Sequence, residues 1–348
     1  VIDTSPAHLA TIRRGEALEA VVRGHVAVVD SEGTVLARAG DATAVTTVRS
    51  CVKPVQAIPF VRRALAELTA TSEELAVACA SHNGEPEHVA AVRSLLGRAG
   101  VDEHALSCAP HLPYDGGAAR DLLASGRLPG RVHNNCSGKH AAMLAVCRVA
   151  GWPLDGYAAY GHPLQVEVRR VMSGLAGTDL DAQPWGVDGC GLPTHGLGLE
   201  VLARMFAAGA ADPDFRRCQD AMAAHPHLVA GSARFDTALL AAAGDTLTAK
   251  IGGAAVWVAV RRPAGPALAV KLEAGEASAM PAIALAALSA LGWLDEVTAA
   301  SGELAPFRQP ALRNWAGDEV GSITAEAAWT VPLRSCRATS GLRRSPVL

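Results

Sequence analysis

The sequence has few lysines and few aromatic residues. Of its 31 basic residues only Lys53, Lys139, Lys250 and Lys271 are lysine, and Phe, Trp and Tyr together make up 4%. It has no excess of either charge: 31 basic against 34 acidic residues leave a net −3. No global field draws such a chain to nucleic acid or anionic lipid, so neither partner is expected. H-E-x-x-H, G-x-S-x-G and C-x-x-C do not occur, which argues against a zinc metalloprotease, an α/β-hydrolase and a zinc ribbon. Val1–Ser5 shows no basic segment leading into an apolar run, so no export signal is expected. The eight cysteines (51, 79, 108, 136, 147, 190, 218, 336) form no disulfide framework and are expected reduced, in a cytoplasmic setting. The longest uncharged stretch, Ala277–Leu294, is alanine-rich, contains Pro281 and Ser289, and has no basic anchors. A buried helix is expected there, with no membrane span.

What is present points to a large globular core. Half of the 348 residues are apolar and 19% are charged, and the length suits one large domain or two smaller units. The scarcity of lysine is itself informative. Under a coding bias toward arginine, a surface cation can drift to arginine freely. A site that needs a neutral amine cannot follow, because arginine does not deprotonate in proteins. The four lysines are therefore the first candidates for chemistry.

The apolar patterns give an ordering of elements. Ala20–Val29 is a strand, Asp30–Gly33 a turn and Thr34–Ala37 the return strand. Pro54–Glu67 turns helical, and the middle, about 85–223, holds helical patterns at Glu85–Ala99, Gly138–Ala150, Pro163–Ala176 and Leu197–Ala208. Strands return at Thr246–Ile251, Ala255–Val260 and Ala267–Leu272, before a helix near 280–291. The expected class is α+β: one antiparallel sheet from about 20–40 and 246–272, flanked by helices, with a helical subdomain inserted. Residues 1–325 are expected to form a single catalytic domain. The arginine-rich, aperiodic 326–348 reads as a weakly ordered tail.

Several segments carry chemical groups at suggestive spacing. Ser50-Cys51-Val52-Lys53 places an amine three positions after a hydroxyl, on one helical face, in the S-x-x-K pattern of serine β-lactamases and penicillin-binding proteins. Serine β-lactamases also share this ordering of elements. The bland alternative makes Ser50 a helix cap and Lys53 a solvated side chain. Pro54 disfavours helical geometry at Lys53 and allows a tight turn. Lys250-Ile251-Gly252-Gly253 ends a late strand, where glycines permit close approach of a substrate. Ser81, in Ala80-Ser81-His82-Asn83, is either a capping residue or a second active hydroxyl. Asn135-Cys136-Ser137-Gly138-Lys139-His140 looks like a P-loop, but His133 and His140 stand where glycine and Ser/Thr are needed, which excludes nucleotide binding. Cys136 and Lys139 face one way, and a thiolate is a natural zinc ligand. Asp188 and Cys190 lie in a glycine-rich loop that either completes a soft-ligand site with Cys136 or is structural.

Together these segments resemble the rhizobial-type L-asparaginases. The resemblance rests on Arg49-Ser50-x-x-Lys53-Pro54-x-Gln56-Ala57, Cys79-Ala80-Ser81-His82, and Asn135-Cys136-Ser137-Gly138-Lys139-His140. It continues through Gly161-His162-Pro163-Leu164-Gln165, Trp185-Gly186-x-Asp188-Gly189-Cys190, and His225-Pro226-x-x-Val229-Ala230-Gly231. Lys250-x-Gly252 and Val270-Lys271-x-Glu273 complete it, in order, over about residues 20–290. The resemblance implies a serine β-lactamase-like fold and hydrolysis of L-asparagine to L-aspartate and ammonia. Ser50 with Lys53 and Ser81 with Lys250 become two catalytic pairs. Cys136, Lys139 and Cys190 become zinc ligands, one ion per chain. Arg49, Asn135, His140 and Asp188 become substrate contacts, and the assembly a homodimer. Two other readings remain open. One is a β-lactam-binding serine enzyme, although S-D-N and K-T-G are absent. The other is a non-catalytic binding protein stabilised by zinc.

Overall fold

The computed structural model describes residues 4–340. Its strands, in chain order, are β1 (Ala7–Arg14), β2 (Ala17–Val29), β3 (Val35–Ala39), β4 (Val45–Thr47), β5 (Trp185–Val187) and β6 (Pro193–Gly198). β7 (Leu247–Gly252), β8 (Val256–Arg261), β9 (Ala267–Leu272), β10 (Ala311–Arg313) and β11 (Glu319–Ala325) follow. The large sheet runs β10-β11-β1-β2-β9-β8-β7, with β3 paired to β2, and its pairings are antiparallel. A small sheet, β4-β6-β5, stands apart from it. The class is α+β.

The sheet is buried on both faces, which is why its central strands read as nearly unbroken apolar runs. On β2, Ala27 and Val29 pack into one core while Val26 and Val28 pack into the other. On β8, Val256, Val258 and Val260 go one way and Trp257 and Ala259 the other; β9 divides likewise. Each fully buried aliphatic side chain contributes about 1.5–3 kcal/mol. The helical body between β3 and β7 covers the first face. The helix Met280–Leu291 covers the second, with nine of its twelve residues buried. Among the described residues no helix is long and apolar enough to cross a membrane.

Three features differ from the sequence expectation. The helix expected over 54–67 is broken into a 3-10 turn Arg49–Val52, an α turn Lys53–Gln56, a turn Ile58–Phe60 and a wide turn Val61–Leu65. Pro54 and Pro59 cause this, since neither can donate to the helical ladder. The sheet is also wider than 20–40 and 246–272, because β1, β10 and β11 extend it. Finally, the tail expected to be weakly ordered continues as a short turn Ala328–Thr330 and a helix Val331–Ser340. Trp329 and Leu333 are buried there, and the Trp329 indole N–H donates to Leu9 O across 2.8 Å. Residues 341–348, the rest of that expected tail, lie outside the described residues.

Candidate active site

The Arg49–Val52 turn is seated on the end of β7 and the start of β8. The Cys51 thiol lies 3.3 Å from Lys250 O and 3.3 Å from Val256 O. A Cβ on Gly252 would come within 3.0 Å of Cys51 Sγ, so glycine is what permits the contact. Arg49 adopts φ 47°, a left-handed conformation that a non-glycine residue enters at a cost. Its guanidinium lies over Gly253 and reaches Asp188, with Nη2 2.8 Å from Oδ1. The Lys53 backbone N–H donates to Ser50 O, an i to i+3 bond. Residues 50 and 53 are therefore stacked one above the other on the same side of the turn.

Lys53 is 0% exposed. Its amine donates to Ala80 O at 2.5 Å, meets Cys136 Sγ at 3.2 Å and reaches Asn135 O at 3.4 Å. Burial pushes its pKa down, opposed by the nearby Cys136. The amine thus lies against the Ala80–Ser81 peptide. Ser81 Oγ is buried and makes no hydrogen bond. Lys250, also 0% exposed, donates to Ile251 O at 3.0 Å and lies 3.6 Å from the buried carboxylate of Asp236. Burial lowers its pKa to about 8 against the pull of Asp236, and repulsion from Lys53 adds to the fall. Among the described residues, neither serine is hydrogen-bonded to its expected lysine.

The thiols and the third lysine converge. The helix Ser137–Ala150 approaches Ser72–Ala78 so closely that a Cβ on Gly138 would lie 2.1 Å from Val77 O. That approach buries Cys136, Lys139 and His140 on its first turns. Lys139 Nζ lies 3.5 Å from Cys190 Sγ. A hydrogen bond from Cys136, with Lys139 beside it, lowers the Cys190 thiol to about 4, while that same bond and burial push Cys136 up to about 12. Burial disfavours the charged Lys139, but Cys190, Cys136 and Asp188 outweigh it and raise its pKa. Burial also opposes charge on Asp188, and Lys139 and Arg49 overcome it to hold the carboxylate low.

His140 is fully buried, and burial with Lys139 beside it lowers its pKa to about 3. Its Nδ1 meets the Tyr157 hydroxyl at 2.5 Å, whereas Nε2 has no partner. Asn135 is held by His111, whose Nε2 accepts its backbone N–H at 3.0 Å. Of the residues singled out from sequence, Arg49 thus meets Asp188, Lys53 meets Cys136 and the backbone of Asn135, and Lys139 meets Cys190. The two serines stand beside this network without joining it.

Sequence reasoning missed Asp236, Tyr157 and Ser107. It also missed the role of the Ser81–Glu85 loop as a hub: Ser81 and Asn83 donate N–H groups to Val229 O and Ala230 O, and His82 donates to Asn135 O. Asp236 shows in the sequence only as an acid in the first turn of the helix Phe235–Ala243. Glu85, His88 and His227 bring ligand atoms within 4.8 Å of one another. Their capacity is already spent, however: His88 Nδ1 accepts from Glu85 N, His88 Nε2 faces His227 O, and Glu85 takes Asn83, Ser232 and His227. We assign no metal there.

An α+β protein that buries three amines, two facing thiols and an unpartnered hydroxyl in one neighbourhood has the groups for acid–base and nucleophilic chemistry. The family model for L-asparaginase II matches residues 10–325, which covers both ends of the sheet and the whole cluster, and the chain belongs to that family. No curated protein matches the chain.

Proposed function

We propose that the chain hydrolyses L-asparagine to L-aspartate and ammonia through a serine acyl-enzyme, as a rhizobial-type asparaginase on a serine β-lactamase-like fold. The observation that carries this reading is Lys53. It is an amine buried to 0% exposure, stacked under Ser50 by the 3-10 turn and laid against the Ala80–Ser81 peptide. In the proposed sequence Ser50 Oγ attacks the side-chain amide carbon, and its proton passes to neutral Lys53. The amine first has to swing from Cys136 Sγ toward the hydroxyl, because sulfur holds that direction at rest. The C–N bond then breaks as nitrogen gains a proton relayed through Ser81 and Lys250, and ammonia departs. Water attacks the ester, returns a proton to Ser50 and releases aspartate. The N–H groups of Cys51 and Lys53 are already bonded to Val48 O and Ser50 O, so they do not serve the oxyanion.

Arg49 and Asp188 are suited to the α-carboxylate and α-ammonium of the substrate, with Asn135 and His140 beside them. Cys136, Lys139 and Cys190 would hold a zinc ion in one buried place, the ion taking the place of the proton that Lys139 holds beside Cys190 in its absence. When bound, zinc supplies a fixed positive charge near the pocket. A homodimer in the cytoplasm completes the proposal. Ammonia release from asparagine and glutamine, with and without zinc, tests it. Release from asparagine that disappears in Ser50→Ala is expected. Undiminished turnover in that variant rejects Ser50 as nucleophile, and no release by the parent chain rejects the activity.

A further inference from the structure

Among the described residues five non-glycine residues have a left-handed backbone, and three of them meet at one place: Arg49 (φ 47°), Ala254 (φ 56°) and Ala255 (φ 53°). Residues with a side chain enter that region at a cost and stay there only where neighbours hold them. Ala254 and Ala255 form, with Gly253, the turn between β7 and β8. Both strained residues are held from β9. The Lys271 amine donates to Ala254 O at 2.5 Å, and the Leu272 N–H donates to Ala255 O at 3.0 Å. Lys271, the one lysine outside the buried cluster, is partly exposed and spends its amine on that backbone carbonyl. Arg49 lies against the same turn. A Cβ on Gly253 would come within 3.0 Å of its Cζ and of its Nη2, so the guanidinium is laid directly on the turn's backbone. Its Nη2 meets Asp188, while Nε is buried without a hydrogen bond. One ion pair and the turn beneath it therefore set the plane of the guanidinium.

We infer that Lys271 is a positioning residue: it holds the Ala254–Ala255 turn in its left-handed form, and the turn fixes the Arg49 guanidinium for the α-carboxylate of the bound amino acid. The identity of that ligand rests on the asparaginase reading; the packing of lysine, turn and guanidinium does not. Gly252, which seats Cys51, is paired with Val256 in the sheet and owes nothing to the lysine. Ser50 should therefore keep its place when Lys271 is lost, and the effect should be felt in KM more than in kcat.

Lys271→Met keeps the stem and removes the donor. KM for asparagine should rise about fivefold while kcat falls by less than about twofold; an unchanged KM overturns the inference. A second set of substitutions separates a positioning residue from one that touches the substrate. An Asn-Gly pair is the one that best accepts two successive positive φ values, so Ala254→Asn with Ala255→Gly should hold the turn without the lysine. Adding both to Lys271→Met should return KM to within about twofold of the parent chain. If the two turn substitutions alone leave KM as it was, yet KM stays high in the triple variant, Lys271 contacts the substrate itself and the positioning role is overturned. A crystal structure of Lys271→Met reads the role without substrate. Ala254 should leave the left-handed region, and Arg49 Nη2 should withdraw from Asp188 Oδ1; a turn and ion pair that stay in place overturn the inference. A variant that shifts in this way, from a parent chain that releases no ammonia from asparagine, overturns the activity and leaves the positioning role standing.

Discussion

The two faces of the large sheet are packed with different chemistry. On one face Val26, Val28, Trp257, Leu268 and Val270 meet the helix Met280–Leu291, whose nine buried side chains are all apolar. On the other face Ala27, Val29, Val256 and Val258 meet a helical body that also buries Lys53, His82, Lys139 and His140. Lys250 is paired with Val258 across β7 and β8 and shares that face. A buried amine or thiolate costs stability unless a partner compensates for lost water. The contrast therefore assigns stability to the apolar face and chemistry to the polar one. Substitutions should separate the two.

The largest effect is expected from Ser50→Ala. Asparagine turnover should fall at least about 1000-fold, while stability in urea changes by less than about 0.5 kcal/mol because a half-buried hydroxyl without a bond is lost. A large stability loss would show that the turn is structural. Asp236→Ala should act on both quantities. The carboxylate accepts Ile251 N–H at 2.8 Å and lies beside Lys250, so its removal leaves a buried amine unpaired. Destabilisation of about 3–5 kcal/mol is expected, measured by denaturant unfolding. Unchanged stability would mean that Lys250 is neutral and needs no counter-ion. Leu288→Ala, on the apolar face, should cost about 2–5 kcal/mol and leave kcat/KM for asparagine unaltered. A matching loss of activity would break the division between the faces.

Much of the apolar face was legible in the sequence, and the reason is local. β7, β8 and β9 are short apolar runs bounded by turn residues, and β9 lies at Ala267–Leu272 as expected. β11 was illegible because only Ile323 of its seven residues is buried, so its pattern carries little hydrophobic signal. On the polar face, lysine scarcity alone pointed to buried amines: Lys53, Lys139 and Lys250 are buried, whereas Lys271 is not. Asp236, Tyr157 and Ser107 gave no such signal. An acid in a first helical turn, a lone tyrosine and a lone serine have commonplace explanations. Their partners are supplied by the fold, with Tyr157 meeting a histidine 17 residues away and Asp236 a backbone N–H 15 residues away. Convergence of Lys139 on Cys190, 51 residues apart, depends on the same tertiary closure.

The smallest expected effect, and the one that resolves the polar face most finely, is in pH dependence. Lys250 has its pKa lowered to about 8, chiefly by burial and despite Asp236. If neutral Lys250 relays protons, kcat/KM for asparagine should rise about tenfold between roughly pH 7 and 9, with an inflection near the lysine's own pKa. Stability should follow with a matching sign. Between about pH 8 and the ordinary lysine value near 10.4, the unfolded chain still holds the proton that the folded chain has released. The Lys250 contribution to unfolding free energy therefore increases with pH through that window. Below it, where both states are protonated, the contribution is constant. A rate profile that stays level while stability climbs would keep Lys250 as a buried amine and remove it from the relay. A rate that climbs in another window would transfer the inflection to a different group, such as Lys53, whose pKa burial also depresses. Comparing the profile of the parent chain with that of Lys250→Met separates these cases, since only an inflection owned by Lys250 disappears in the variant.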